Sequence, residues 1–341
     1  MQMRDDLGIT TKLENGKAYL EFALPEKIGR LLSALQIEIW EGAEGERLVF
    51  HGEYSSEEAD SMTALLLRPH LWDGMRDPYV YLVKAQGRFR SVEYGEKMGG
   101  MEKEEKLDSA EDITGEVEMY WRQELTIYDV RVVEKKGILL NEKEFLPHEV
   151  VYRLPPQISD AGMRVEQVRR DLERLVRMGV NAIRLEGTGS GAERQNCYEV
   201  RAFYRLCRRG GFLTGDLWIR PENLPVYRGL PGETTCQALL AADGRTLTER
   251  YYYYQAKWSS EPVLYPVLST LHRQENGLLS LTIYSNQKKV VLYVDGVLFL
   301  FQSAASGDPE FIFEDIPVAK LPLHLAAEAG NLSISLTVTK L

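Results

Sequence analysis

The sequence predicts a protein of mixed α and β structure in which two β-sandwiches flank a short α/β segment. Hydrophobic side chains alternate with a period of two near both ends of the chain, and a helix–strand–helix–strand rhythm occupies the middle. A chain of 341 residues also exceeds one ordinary domain. The predicted domains are residues 1–147, 148–245 and 246–341.

The first domain shows the period-two alternation clearly in residues 17–24 (KAYLEFAL). Ala18, Leu20 and Phe22 fall on one side of an extended chain, as expected for a strand with one buried face. Further short strands, separated by glycine and charged turns, predict an antiparallel sandwich.

The middle domain changes to helical periodicity. Apolar residues recur at helical spacing over 165–176, and Gly179 is a plausible helix end. Residues 180–185 (VNAIRL) then form a short buried strand, a second helix covers 193–209, and residues 212–213 begin another strand. This order is typical of a parallel α/β unit.

The last domain returns to β-patterning from Arg250 onward. Asp295-Gly296 lies between two apolar runs, which is a strong signal for a β-hairpin. Alternation of apolar residues with serine and threonine over 332–338 predicts the final strand of a small antiparallel sandwich.

The composition limits the classes of partner and compartment. A net charge of −10, spread along the chain, disfavours nucleic acid and anionic membranes. No apolar run reaches the roughly 18–20 residues of a membrane span. The N-terminal segment does not resemble a signal peptide, so a cytoplasmic location is expected. Cys197, Cys207 and Cys236 have no metal-binding spacing, and we expect free thiols in a reducing compartment.

Several motifs resemble those of glycoside hydrolase family 2, the β-galactosidase group. Residues 71–74 (LWDG) with 77–81 (DPYVY) resemble the "LW-x-P…P-x-LY" signature of its central immunoglobulin-like domain. Residues 137–143 (GILLNEK) resemble the "F-x-LNGK" hairpin before the catalytic barrel. The helix over 165–178 with 179–184 (GVNAIR) is similar to the family's "NAIR" segment, interpreted as the first barrel strand.

The resemblance continues in the same order along the chain. Residues 203–207 (FYRLC) with 211–213 (GFL) resemble "FYDLCDELGFLV", which approaches the second barrel strand. Residues 251–259 (YYYYQAKWS) resemble the junction between barrel and C-terminal sandwich. Residues 283–286 (IYSN) with 291–296 (VLYVDG) resemble strands of that sandwich.

The resemblance implies that most of the barrel is missing. A complete barrel has eight strand–helix units and typically about 250 residues. Only the 100 positions from 148 to 247 separate the hairpin motif from the last domain, so about six units are absent. The predicted fold class is therefore two immunoglobulin-like β-sandwiches flanking a truncated (β/α) barrel fragment.

The catalytic residues that the resemblance implies are also missing. The family's two catalytic glutamates lie on later barrel strands, the first within an Asn-Glu pair. Here the Asn-Glu pair is Asn141-Glu142, which belongs to the hairpin motif. A family histidine that faces the sugar is replaced by Gly187, and the family's "D-E" becomes Asp216-Leu217. We therefore predict no catalytic residues and no hydrolysis by the family mechanism.

Other site chemistries find little support in the sequence. The glycine-rich loop 187–191 lacks the spacing of phosphate-binding loops. The five histidines lie far apart without a metal-binding pattern, at positions His51, His70, His148, His272 and His324. We expect no cofactor and no metal.

Sugar recognition requires less than hydrolysis, namely a few polar groups and an aromatic surface. Functional groups in barrels lie at the carboxyl ends of the strands. Arg184, Glu186, Asp216 and Trp218 are therefore the candidate carbohydrate-binding residues. The alternative is structural: Arg184 pairs with an acid, and Trp218 packs against the connector.

Two functions follow as hypotheses. In the first, the chain is non-catalytic and serves as a carbohydrate-binding protein or as a structural or partner subunit, with a homo-oligomer also possible. In the second, it is still a glycosidase, whose site is completed by another chain or by unrecognised carboxylates such as Glu186 and Asp216.

Overall fold

A computed structural model divides the chain into two compact units, Met1–Phe145 and Leu146–Leu341. The three-domain division expected from the sequence stays a prediction. The described residues are 7–92, 113–154, 161–186, 197–214, 224–228, 238–305 and 307–340.

The first unit consists mainly of β-strands. A short helix, α1, lies between β2 and β3, and two 3₁₀ turns occupy Ser56–Glu58 and Gly74–Arg76. The bounds are β1 (Gly8–Glu14), β2 (Lys17–Ala23), α1 (Glu26–Gly29), β3 (Leu32–Glu41), β4 (Arg47–Ser55), β5 (Thr63–Leu67), β6 (Tyr81–Val92), β7 (Ile113–Leu125), β8 (Val130–Val133), β9 (Gly137–Leu140) and β10 (Lys143–Phe145).

Two antiparallel sheets of this unit share one apolar core. Their strand orders are β1-β2-β5 and β4-β3-β6-β7. In β2, Ala18, Leu20 and Phe22 are buried and the residues between them are exposed, so the predicted alternation is confirmed. These side chains belong to the same buried cluster as Ile37 of β3 and Val83 of β6. Two sheets that share a core in this way form a β-sandwich.

A third small sheet, with the order β10-β9-β8, lies at the end of the unit. Asn141 occupies the turn between β9 and β10 with a φ of 49°, a conformation that asparagine tolerates. Its Nδ2 donates to the backbone oxygen of the buried Trp72 at 2.9 Å, and its Oδ1 accepts from the backbone N–H of Asp129 at 3.0 Å. The hairpin motif and the tryptophan motif therefore contact each other.

The second unit contains three helices and twelve strands among its described residues. The bounds are β11 (Glu149–Arg153), α2 (Ala161–Met178), β12 (Ala182–Glu186), α3 (Cys197–Arg209), β13 (Leu213–Thr214), β14 (Val226–Arg228), β15 (Ala238–Leu240), α4 (Glu249–Trp258), β16 (Leu264–Arg273), β17 (Leu279–Ser285), β18 (Lys289–Val294), β19 (Val297–Ser303), β20 (Glu310–Ile316), β21 (Leu323–Ala329) and β22 (Leu332–Val338).

A parallel sheet with the order β13-β12-β11-β14-β15 forms the first part of this unit. Val151 of the central strand β11 pairs with Arg184 of β12 on one side and with Val226 of β14 on the other. Side chains of α2, α3 and α4 share one buried cluster with this sheet, among them Leu172, Phe203 and Tyr251. The helices and strands predicted over 165–213 are thereby confirmed for the described residues, with slightly different bounds, whereas residues 193–196 of the second predicted helix lie outside them.

Two features of the sheet differ from the expectation. The segment 180–185 was interpreted as the first parallel strand, whereas β11 precedes it and lies at the centre of the sheet. The chain also adds strands on both sides of β11: β12 and β13 follow on one side, and β14 and β15 on the other. In a closed barrel, each strand instead lies next to the strand that follows it in the sequence. The truncated barrel fragment therefore stays a prediction, while the parallel sheet and the two sandwiches are established.

The second part of the unit is another antiparallel sandwich. Its sheets have the orders β16-β17-β20 and β19-β18-β21-β22, and they share a core that includes Leu281, Leu292 and Phe313. Asp295 and Gly296 have φ angles of 47° and 80° and join β18 to β19, so the predicted hairpin is confirmed.

The tyrosine-rich segment is helical, and the expectation of β-structure from Arg250 onward was wrong there. Tyr251 and Ala256 are the buried residues of α4, and Tyr251 Oη donates to the backbone oxygen of Arg174 at 2.9 Å. The Trp258 ring stacks on His148 with a centroid distance of 5.2 Å. These tertiary contacts outweigh the preference of tyrosine for strands.

Candidate functional site

The four candidate residues fall into two groups. Arg184 lies within β12, and Glu186 is its last residue. Asp216 and Trp218 lie outside the described residues, as does the glycine-rich loop 187–191. The geometry of the site is therefore set by β12 and the strands beside it.

Arg184 is held by a carboxylate from the neighbouring strand. Its Nε donates to Oε1 of Glu149 at 3.1 Å, and the side chains of the pair are only 11% and 1% exposed. Because Val151 lies opposite Arg184 in the parallel register, Glu149 is on the same face of the sheet, two residues earlier. This contact supports the structural alternative for Arg184, since buried charges are tolerated when they are paired.

A second ion pair lies at the carboxyl ends of the same two strands. Nε of Arg153, the last residue of β11, donates to Oε2 of Glu186. These side chains are 19% and 48% exposed, so this pair is accessible to a ligand. Nη1 of Arg153 also donates to the backbone oxygen of Arg228 at 3.3 Å, at the end of β14. Arg153 thus links the carboxyl ends of three adjacent strands.

The pair of Arg153 and Glu186 lies at the point of the parallel sheet where ligands commonly bind. The strand order changes direction at β11, with β12 on one side and β14 on the other. In open parallel sheets, ligands bind outside the carboxyl ends of the strands at such a point. Glu186 offers carboxylate acceptors there, and Arg153 offers guanidinium donors. The arrangement can bind a polar ligand through both kinds of group.

A buried polar cluster between α2 and the sheet holds the carboxyl ends of β11 and β14 in place. Asp171 of α2 accepts hydrogen bonds from Tyr152 Oη at 2.9 Å, Tyr227 Oη at 3.1 Å and Arg228 Nη2 at 2.7 Å. Burial, together with the charge of Asp171, raises the pKa of both tyrosines, which therefore stay protonated and can donate. Since these tyrosines precede Arg153 and Arg228 in their strands, the cluster holds the ends of β11 and β14 in place.

Glu149 and Arg153 were missed in the sequence. Both belong to the segment 149–153 (EVVYR), where valine and tyrosine directly after the hairpin motif are the signal of a strand. Their partners on β12 could not be assigned, because the pairing depends on the register between two strands.

The described residues also bear on the other chemistries considered. They contain no group of three or more His, Cys, Asp or Glu side chains that could hold a metal ion. Cys207 is free and buried, and burial raises the pKa of its thiol, which makes it unreactive. The side chain of Cys197 and the whole of Cys236 lie outside the described part. Among the described helices, none combines the length and the hydrophobicity that a membrane-spanning helix requires.

Solved structures share the fold of this chain at low sequence identity. One is an FMN-binding β-glucuronidase from F. prausnitzii L2-6, with 13% identity, a TM-score of 0.66 and coverage of 98% of this chain and 74% of that protein. A glycosyl hydrolase family 2 member from Bacteroides cellulosilyticus DSM 14838 has 13% identity, a TM-score of 0.60 and coverage of 98% and 63%. A β-glycosidase from Bacteroides vulgatus has 12% identity, a TM-score of 0.64 and coverage of 98% and 64%.

No family model and no curated protein matches the sequence. This chain spans less than two thirds of the second and third of those structures. At such low identity, structural similarity establishes the fold, and activity has to be argued from the site. Over 98% of its length, this chain shares its fold with part of a solved structure of a glycosyl hydrolase family 2 member, in agreement with the resemblance of its sequence motifs.

Proposed function

We propose that this chain is a family 2 glycoside hydrolase homologue that has lost most of the catalytic barrel and binds carbohydrate without hydrolysing it. In this proposal, β11 to β13 with α2 and α3 are what remains of the start of the barrel. The observation that supports binding is the accessible pair of Arg153 and Glu186 at the carboxyl ends of β11 and β12.

Sugar hydroxyl groups both donate and accept hydrogen bonds, so a site that offers both partners side by side suits them. The carboxylate of Glu186 accepts, and the guanidinium of Arg153 donates. Asp216 and Trp218 follow the next strand of the sheet, β13, and are proposed as a further acceptor and as the aromatic surface against which a sugar ring packs.

The same geometry argues against hydrolysis by the family mechanism. A retaining glycosidase needs two carboxyl groups about 5–5.5 Å apart, one as nucleophile and one as acid and base. Glu149 and Glu186 are the carboxylates of the described parallel strands, and each contacts an arginine of the adjoining strand. Glu149 is also buried, which keeps it away from a substrate.

A thermal-shift screen against a broad panel of mono- and oligosaccharides tests this proposal. A sugar that binds only the folded state raises the melting temperature by mass action. We expect a shift for one sugar class that is lost in Glu186→Gln, Asp216→Ala and Trp218→Ala. Glu166→Gln is the matched control, because Glu166 forms an exposed pair with Arg169 on α2 at 3.6 Å.

A shift that survives all three site variants would contradict the proposed site. A flat screen from a well-folded sample would favour a structural or partner-subunit role instead. Sedimentation of the purified chain would then show whether it forms a homo-oligomer.

The glycosidase alternative has one specific observation in its favour, since the structures with this fold include a β-glucuronidase and a β-glycosidase. Such an activity would need a site completed by another chain, or one that uses Glu186 and Asp216. Release of p-nitrophenol from a panel of aryl glycosides tests it. Turnover that is abolished by Glu186→Gln or Asp216→Asn would establish the alternative.

A further inference from the structure

The outer face of the four-stranded sheet in the first unit carries a groove that the proposed function does not use. The groove has two adjoining parts, of about 620 Å³ and about 330 Å³, which share Gln36 and Gln86. Volumes of this size are typical of small-ligand sites. The groove belongs to the first unit alone and is independent of the site on the parallel sheet.

The strand register arranges polar side chains in a row across this face. Gln36 of β3 lies opposite Glu53 of β4 and Gln86 of β6, and Gln86 lies opposite Tyr120 of β7. Because neighbouring strands are about 4.8 Å apart, the row is about 14 Å long. It presents amide, carboxylate and phenol groups at regular intervals along the groove.

A second row runs beside the first and gives the groove its depth. Ala34 of β3 lies opposite Ser55 of β4 and Arg88 of β6, and Arg88 lies opposite Glu118 of β7. The small side chain of Ala34 forms the floor between longer polar neighbours, all of which line the larger part of the groove. A ligand can therefore contact side chains from four strands at once.

Part of this surface is already oriented by internal hydrogen bonds. Gln86 Nε2 donates to Tyr120 Oη at 3.1 Å, and Tyr120 Oη donates to Glu118 Oε2 at 2.5 Å. The hydrogen bond to Glu118 raises the pKa of Tyr120, which keeps the hydroxyl protonated. Tyr120 is 66% exposed. Its ring is thus a fixed aromatic surface beside the Gln86 carbonyl and the second Glu118 oxygen, which are the acceptors expected to contact a ligand.

The charges of the groove define the class of ligand. Four glutamates and three basic side chains line the two parts together, so the charges nearly balance and favour a neutral ligand over a phosphate or a uronic acid. The lining of the larger part is mainly polar, which disfavours a lipid, whereas Ala85 and Trp121 give the smaller part a more apolar surface. Paired donors and acceptors beside an exposed aromatic ring suit the hydroxyl groups and the apolar ring face of a sugar. We propose that this groove binds a neutral oligosaccharide, with Gln86 and Tyr120 at the centre of the contact.

The test is binding of the full chain to a microarray of neutral oligosaccharides, followed by calorimetric titration of the strongest hit. Tyr120→Ala and Gln86→Ala should each weaken binding by about tenfold or more, the effect of losing a well-placed contact. Tyr19→Ala is the matched control, because Tyr19 is a 41% exposed tyrosine of β2 in the opposite sheet. Circular dichroism checks that each variant is folded.

The outcomes separate this groove from the site on the parallel sheet. Loss of binding in Tyr120→Ala and Gln86→Ala, with binding retained in Tyr19→Ala and Glu186→Gln, is the expected result. Binding that is lost only in Glu186→Gln would overturn the inference about the groove and would support the site on the parallel sheet. The absence of any neutral glycan hit, or binding of an oligolysine peptide at the groove in its place, would also overturn the inference.

Discussion

Arg228 and Asp171 form a buried ion pair that joins the end of β14 to the middle of α2. Nη2 of the arginine lies 2.7 Å from Oδ2 of the aspartate, and the two side chains are 7% and 0% exposed. Tyr152 and Tyr227 donate to the same carboxylate, so three elements of the structure, α2, β11 and β14, meet at one charge within their shared core.

Replacement of this carboxylate should strongly destabilise the second unit. Asp171→Ala leaves the buried guanidinium of Arg228 without its counter-ion, and we expect the free energy of unfolding to fall by about 3–5 kcal/mol. Urea denaturation measures the change. Glu173→Ala, on the exposed side of the same helix, should stay within about 0.5 kcal/mol of wild type. Equal effects of the two variants would contradict the role given to Asp171.

Gly179 is expected to tolerate no side chain. Its φ is 88°, and an added Cβ would lie 2.4 Å from the backbone oxygen of Trp258. Gly277 has a similar φ of 84° with open space around it, so Gly277→Ala measures the conformational cost alone, about 1–2 kcal/mol. Gly179→Ala should cost about 1–3 kcal/mol more, because the backbone must move to relieve the overlap. Thermal unfolding of both variants checks the difference.

The charges of Arg184 and Glu149 should be energetically coupled, and a double-mutant cycle measures this coupling energy. Arg184→Met removes the guanidinium that contacts the buried carboxylate of Glu149 and should cost about 3–5 kcal/mol. Adding Glu149→Leu replaces the pair with apolar side chains and should recover much of that loss. The exposed pair of Glu166 and Arg169 is the control, with an expected coupling of about 0.5 kcal/mol or less. Additive effects at Arg184 and Glu149 would show that the two charges do not interact.

His148 should make the second unit less stable in acid. Burial lowers its pKa, although the contact of its Nδ1 with the backbone oxygen of Gly179 at 2.9 Å acts in the opposite direction. A histidine whose pKa falls on folding binds fewer protons in the folded state. Its stabilising contribution is therefore complete above the unfolded pKa of about 6.5 and is lost as the pH falls towards the folded value.

The measurement for His148 is the free energy of unfolding between pH 7.5 and pH 5, compared with His148→Gln. Wild type should lose more stability than the variant across this range. A parallel pH dependence in the two proteins would show that His148 does not contribute.

Much of the fold could be predicted because its signals are local. The alternation around Leu20 and the Asp295-Gly296 turn depend on neighbouring residues only, and both were identified correctly. The helix at Tyr251 was not, because it is stabilised by tertiary contacts with β16, which follows it, and with α2, which lies more than 70 residues earlier in the sequence. The central position of β11 was missed for the same reason.

The site could be predicted only in part. Arg184 and Glu186 were identified as candidates through the family resemblance, whereas their partners Glu149 and Arg153 were missed. Each contact joins residues more than 30 positions apart, at separations of 35 and 33. Such pairs follow from strand register, which one sequence does not reveal.

The central position of β11 has a consequence for synthesis on the ribosome. This strand is synthesised before both of its neighbours. Val151 can pair with Arg184 only after β12 has been synthesised, and with Val226 only after β14 has been synthesised. A nascent chain that has not reached β14 exposes one edge of an apolar strand, which invites aggregation or chaperone binding. The first unit, by contrast, has all its partners by Phe145 and can fold during translation, well before the second unit is complete.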